Sequence, residues 1–413
     1  MNDGQGRLTV PARLMLCMFL LVLTTVGWRR GTYFSGALDP VVAAKGLLSI
    51  AALALAFFGT RRAALRLGTG SLWALGLLLG ASVLGALTHG PLVAGAVIAI
   101  RVTIIALTVV LLLRCYTSTQ FFSALARCCA VIGGVAAVTG LPTLASGRLA
   151  GGFPQLAPNE LALLASLVVL YAVWRIAVAD GGLAVAGAAV VALGVLWFTG
   201  SRTALLMLLP ALVIMALHVR RARVGLVVGA LLTAAVGVVA LFSTDAVAGF
   251  LERDGDGTST VTSRFVAWDA AMTWADDRWQ LAFGGGMSVK IIRVKGQFWD
   301  EQPLDSSWMS LLVQVGAVGV LVAGMWALWA VRGALHAPRE QRALFLGLLV
   351  FLLGRSILES GLFDATPDFL ALLAASLLTE GGSRRRLAEE EQPDGPAAGT
   401  AHSSRLPATV YAG

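Results

Sequence analysis

Residues 91–113 read PLVAGAVIAIRVTIIALTVVLLL, an apolar run that carries one charge, Arg101. A helix needs about 20 such residues to cross the hydrocarbon core of a bilayer, and this run has no polar face with which a soluble helix would meet water. Comparable runs lie on both sides of it, at roughly 11–27, 40–59, 70–88, 124–142, 160–178, 183–199, 204–218, 224–243, 305–331, 343–360 and 363–380. Hydrophobic residues make up 57% of the 413 and charged residues 13%, too little charge to cover a soluble fold. The fold class is therefore an all-α polytopic membrane protein with about 12 transmembrane helices.

The net charge of +8 would suit nucleic acid if it were clustered, but most Lys and Arg sit at the ends of apolar runs and read as a topology signal. With a cytoplasmic N-terminus, the inner loops hold Arg61, Arg62, Arg66, Arg114, Arg127, Arg175, Arg220, Arg221, Arg223, Arg332, Arg339 and Arg342. The short outer connections hold only Arg29, Arg30, Arg148 and Arg202. Both termini are thus expected inside. The first run, up to Gly27, is followed by Trp28-Arg29-Arg30 and no small-residue cleavage site, so it reads as a retained helix. Cys17, Cys115, Cys128 and Cys129 lie in or beside apolar runs with no metal-ligand spacing, and neither a disulfide framework nor zinc is expected.

Four segments follow: an N-terminal bundle at 1–243, an extracytoplasmic loop at 244–303, further spans at 304–380, and a tail at 381–413 whose composition predicts disorder. A connection as long as 244–303 usually carries function. Within it Phe265, Trp268, Met272, Ala275 and Trp279 recur at helical spacing, which predicts an amphipathic helix on the membrane surface. Thr262 or Ser263 would cap it and put Arg264 in its first turn, where free N–H groups favour an anion. Glu252 to Gly257 contains an Asp-x-Asp but lacks the other ligands of a calcium loop, and reads as a solvated turn.

Three outward arginines, Arg148, Arg202 and Arg264, break the charge rule. Converging arginines suit phosphate oxygens, while each alone could be an interfacial side chain reaching toward headgroups. Asp305, at the start of the span after the loop, could be a general base or simply a helix cap. The histidines fall inside or, for His89, in a tight turn, so none is expected as the base. Arg355 and Glu359, one helical turn apart, are expected to pair with each other, and Arg101 is a charge within a span.

The order of motifs resembles the O-antigen ligase and Wzy-type polysaccharide polymerase superfamily of bacterial membrane glycosyltransferases. The matching stretches are Arg148-Leu149 through Gly151-Gly152-Phe153 to Pro158-Asn159-Glu160, then Gly200-Ser201-Arg202, Arg264 with Trp268, and Gly284-Gly285-Gly286. Asp305-Ser306-Ser307-Trp308 through Gly316-Ala317-Val318-Gly319 and Glu359-Ser360-Gly361-Leu362 complete the series. The departure is at Asp305-Ser306, where ligases of the family usually carry His-Asn, and it tilts the reading toward polymerase.

The resemblance implies a GT-C-like fold in the bacterial inner membrane, acting on its outer face. The donor would be a glycan on a polyprenyl pyrophosphate such as undecaprenyl pyrophosphate, and the acceptor another glycan. It implies Asp305, Arg264 and Arg202 as catalytic residues and Arg148, Asn159, Trp268, Trp308 and Glu359 as substrate-binding residues, with no cofactor and no metal. Partners would be the lipid-linked glycan, the acceptor, membrane lipids and the envelope polysaccharide export machinery, but no nucleic acid. The competing class is a secondary transporter or lipid-linked glycan flippase using Lys45, Arg101, Arg355 and Glu359 near the midplane; no internal repeat supports it.

Overall fold

The computed structural model describes residues 10–29, 39–59, 65–178, 182–219, 260–294 and 301–391. Every apolar run within them forms a helix: α1 (Ala12–Thr25), α2 (Pro40–Phe57), α3 (Gly70–His89), α4 (Leu92–Cys115), α5 (Ser118–Thr139), α6 (Pro158–Val178), α7 (Leu183–Thr199) and α8 (Arg202–His218). After the loop come α11 (Ser307–Leu335), α12 (Arg339–Leu358) and α13 (Pro367–Thr379). Seven of these are long and apolar enough to cross a membrane, and four are shorter. The run at 224–243 and the Asp-x-Asp turn lie outside the described residues.

The described part of the loop is more structured than its composition suggests. It holds α9 (Thr260–Met272), α10 (Arg278–Phe283) and a short two-stranded antiparallel ribbon, β1 (Ile291–Arg293) with β2 (Glu301–Pro303), in an otherwise all-α fold. The single amphipathic helix expected through Trp279 is thus two helices, broken after Met272, and Asp277 caps the second by accepting from the Gln280 N–H at 2.7 Å. Ala271, Ile292, Val294, Leu304 and Val313 form a small separate core beneath α9.

This loop is built into the bundle. At Gly316 (φ 71°, ψ −170°) the helix α11 is broken, which frees carbonyls that an unbroken ladder would use. The Gly285 and Gly286 N–H groups donate to the Val313 and Gln314 carbonyls at 2.9 and 2.8 Å and replace the missing bonds. The Gln314 side chain donates to the Val289 carbonyl at 2.9 Å, and the Met287 N–H donates to Ser82 Oγ at 3.0 Å. His89, at the end of α3, meets Asp277 at 3.0 Å and pins α10 from the other side.

At the opposite end of the bundle, residues 381–391 form α14 (Gly381–Glu391), a correction to the disorder expected there. Its charges, with Glu380 just before it, cap helix ends with the sign the helix dipole favours. Glu380 accepts from the Gly70 and Ser71 N–H groups at 2.8 and 2.7 Å, at the start of α3. Glu390 accepts from the Ser118 N–H at 2.9 Å, at the start of α5, while Arg386 donates to the Leu113 and Tyr116 carbonyls at the end of α4. Glu380→Gln is expected to cost about 1–3 kcal/mol by leaving buried partners poorly satisfied. The check is the thermal transition of the detergent-purified protein; an unchanged transition would remove the capping role.

Candidate active site

The helix ends at the loop side converge on Asn159, in the first turn of α6. Its side-chain N–H donates to Glu359 Oε1 at 2.8 Å, and its Oδ1 accepts from Arg148 Nη2 at 3.1 Å. Its backbone carbonyl accepts from Arg355 Nη2 at 3.2 Å. One asparagine, through its side chain and its backbone carbonyl, therefore ties a carboxylate to two arginines.

Glu359 is also the hinge to the loop. Arg264 lies between Glu359 and Asp305, with Nη2 to Oε1 at 3.7 Å and Nε to Oδ2 at 3.6 Å, loose ion pairs rather than hydrogen bonds. The Glu359 carbonyl accepts from the Ser307 N–H at 3.1 Å and the Ser307 hydroxyl at 2.7 Å, which locks the start of α11 to the end of α12. Trp308 donates its indole N–H to Ser356 Oγ at 3.0 Å and sets its ring edge-on to Phe363, so it braces the same junction.

Burial pushes the Asp305 carboxyl above its ordinary range, and the neighbouring Arg264 guanidinium only partly opposes this. Nearly half of that side chain still meets solvent. Glu359, just past the end of α12, is also raised by burial, against the pull of Arg355 and Arg264. Two carboxylates share one cation, and Asp305 is the more exposed of them.

Arg148, Asn159, Glu359, Arg264 and Asp305 thus form one connected cluster, with Arg148 also donating to the Thr199 carbonyl at 2.9 Å. Arg202 begins α8 and is placed less directly. Gly354 of α12 packs on Met207, and Gly347 on Met215, so the antiparallel register of α8 and α12 brings Arg202 level with Glu359. Trp268 stacks edge-on to Phe265 on α9, and its buried indole N–H has no partner.

One open alternative is decided and two expectations are corrected. Asp305 is not the helix cap: Ser306 is, accepting from the Met309 N–H at 3.5 Å. Arg264 falls beyond the first turn of α9, because the helix begins at Thr260. Arg355 and Glu359 do not pair. Arg355 Nη1 meets Asp368 Oδ2 at 2.6 Å, with both side chains almost fully buried. Asp368 went unnoticed in the sequence, although a carboxylate in the last apolar run was a readable signal.

Below the cluster is a cavity of about 500 Å³. Asp305, Glu359 and Asn159 line one part of it, and Lys45, Arg101, Glu160, Lys290 and Asp364 line the rest. Lys290 pairs with Asp364; burial pushes that carboxyl up, but the ammonium outweighs it and holds Asp364 below the usual range.

This geometry can be set beside known proteins. Residues 187–324 match the O-antigen ligase family model. The matched segment runs from α7 into α11 and contains Arg202, Arg264, Trp268, Asp305 and Trp308. No curated protein matches the chain. The family match supports the O-antigen ligase and Wzy-type superfamily read from the motif order, and with it a membrane-embedded enzyme that processes lipid-linked glycan and an acceptor. Arg148, Asn159 and Glu359 lie outside the O-antigen ligase segment, yet their hydrogen bonds join them to Arg264 and Asp305 within it.

Proposed function

We propose that this protein is a metal-independent glycosyltransferase of the bacterial inner membrane, with about 12 spans in a GT-C-like arrangement. It polymerises or transfers a glycan from polyprenyl pyrophosphate to an acceptor glycan at the outer face. The observation that carries the reading is the contact of Arg264 with both Asp305 and Glu359, beside a cavity that opens on the same carboxylates.

In the reaction, an acceptor hydroxyl attacks the anomeric carbon of the donor sugar and its proton passes to Asp305. The bond from that carbon to the diphosphate oxygen breaks, and the electron pair leaves on the diphosphate. Arg148, Arg202 and Arg264 stabilise the charge that develops there. Glu359 and Asn159 hold the arginines in register, while the half-buried ring of Trp268, one turn beyond Arg264 on α9, borders the sugar. Asp305 in place of histidine favours polymerase over ligase. The transporter reading loses one support, since the Arg355–Glu359 pair it used is replaced by Arg355–Asp368.

A base with a raised pKa gives an acid limb displaced upward in pH, with activity falling as the carboxylate gains its proton. Asp305→Asn is expected to lower kcat/KM by at least about 100-fold and to remove that limb. Arg264→Gln, by removing the cation that opposes the rise, is expected to move the limb to higher pH. An Asp305→Asn enzyme with a wild-type pH profile would end the base assignment. In cells lacking the gene, single lipid-linked repeat units should accumulate if the enzyme is a polymerase, and full-length chains on the carrier if it is a ligase; an unchanged glycan profile would overturn the reading. Cysteines at Ser82 and Met287, where hydroxyl and backbone N–H meet, should crosslink without loss of turnover, because the loop works docked. Loss of activity on crosslinking, restored by reduction, would show that it has to move.

A further inference from the structure

Membrane-embedded charges are expensive and are normally paired. Among the described residues, most cations around the cavity obey this: Arg29 pairs with Asp39 at 3.2 Å, Lys290 with Asp364, Arg355 with Asp368, and Arg264 with Asp305 and Glu359. Lys45 on α2 and Arg101 on α4 do not. No carboxylate of the described residues comes within salt-bridge distance of either.

Both instead turn to the end of α1. Lys45 Nζ donates to the Val26 carbonyl at 2.7 Å and lies 5.7 Å from the centre of the Trp28 ring, and Arg101 Nη2 donates to the Thr24 carbonyl. Arg101 Nε is buried with no partner. Both residues line the cavity that reaches Asp305, where the nearby carboxylates are engaged elsewhere: Glu160 accepts from the Ala157 N–H at 3.2 Å, Asp39 pairs with Arg29 and Asp364 with Lys290. At 1.5 Å per residue they sit about 8 and 14 Å along their helices from the loop side, deeper than the arginine cluster. Their helix ends lie on that side, and α2 is the least buried of the seven long apolar helices.

We infer that Lys45 and Arg101 form the floor of the donor site and bind the diphosphate of a polyprenyl diphosphate that reaches the cavity from the lipid beside α2. The assignment rests on the donor class proposed above. Held there, the diphosphate presents its sugar upward toward Asp305 and leaves its tail at the level of the membrane interior. The cost of burying two cations without a direct ion pair is offset when the diphosphate binds. Arg148 and Arg264 then act on the charge that develops at the scissile oxygen rather than as the resting anchor.

The test is binding to the full-length protein in nanodiscs, with undecaprenyl diphosphate and inorganic pyrophosphate as probes and Trp28 emission or thermal shift as readout. The Lys45→Met and Arg101→Met proteins are expected to bind the lipid diphosphate at least tenfold more weakly than wild type. Lys45→Arg and Arg101→Lys, which keep the charge, should recover most of the affinity and serve where a Met protein fails to fold. Wild-type affinity in well-folded Met variants, with loss in Arg148→Ala, would place the anchor at the outer arginines and overturn the inference while sparing the donor class. Equal affinity for inorganic pyrophosphate would overturn the lipid assignment. Wild-type protein that binds neither probe would overturn the proposed function itself.

Discussion

Gly316→Ala is expected to undock the loop and abolish glycan transfer. The backbone there, at φ 71° and ψ −170°, belongs to a region open almost only to glycine, and forcing another residue into it costs about 1–3 kcal/mol. Strain is the smaller part. A Cβ at Gly316 would run into the Ala282 carbonyl, and one at Gly284, also at φ 71°, would run into the backbone of Gln314 and Val315. Backbone cannot swing aside as a side chain can, so the two chains must separate. Gly324, farther along the same helix, has open space around it and is the control: alanine there should be neutral or stabilising by up to about 1 kcal/mol. Limited proteolysis of residues 273–290 and the thermal transition read the outcome. A Gly316→Ala protein that resists protease and transfers glycan like wild type would refute the docking.

Asp368→Leu is expected to be the most damaging change away from the loop. Arg355 and Asp368 are each about 95% buried, and removing one partner of such a pair costs about 3–5 kcal/mol because the other charge is left behind. It should also disturb the site, since Arg355 holds the Asn159 carbonyl. Replacing both, Arg355→Met with Asp368→Leu, should restore most of the thermal stability, as apolar pairs often replace buried ion pairs without loss. Activity is expected to stay low in the double variant, because the Asn159 anchor is still missing. Thermal transitions of the two single variants and the double variant make the cycle; a double variant no better than the worse single would mean that the pair does more than neutralise itself.

The helices were legible because a span has a length and a composition: every apolar run among the described residues forms a helix, and seven of these are long and apolar enough to cross a membrane. The motif order was legible for the same reason: Arg148, Asn159, Arg264, Asp305 and Glu359 occupy separate turns, and the bundle gathers them. Pairing was not legible. One-turn spacing suggested Arg355 with Glu359, but Glu359 lies past the end of α12 while Arg355 points inward to α13, a choice made by tertiary packing. Asp305 looked like a cap because Asp often is one, and Ser306 took the position since the helix begins one residue later. The caps made by Glu380, Glu390 and Arg386 join residues some 270 or more positions apart, which no local pattern announces.

The glycine turn that completes the broken ladder of α11 bears on how cargo arrives. Raising the loop would strip the Val313 and Gln314 carbonyls of their donors in a buried stretch of α11, and each bare buried group costs about 1–3 kcal/mol. A lid that has to tear a transmembrane helix to open is a poor lid. Under the proposed function, the lipid carrier is therefore expected to enter sideways, past the thinly covered α2, with the loop as a fixed roof.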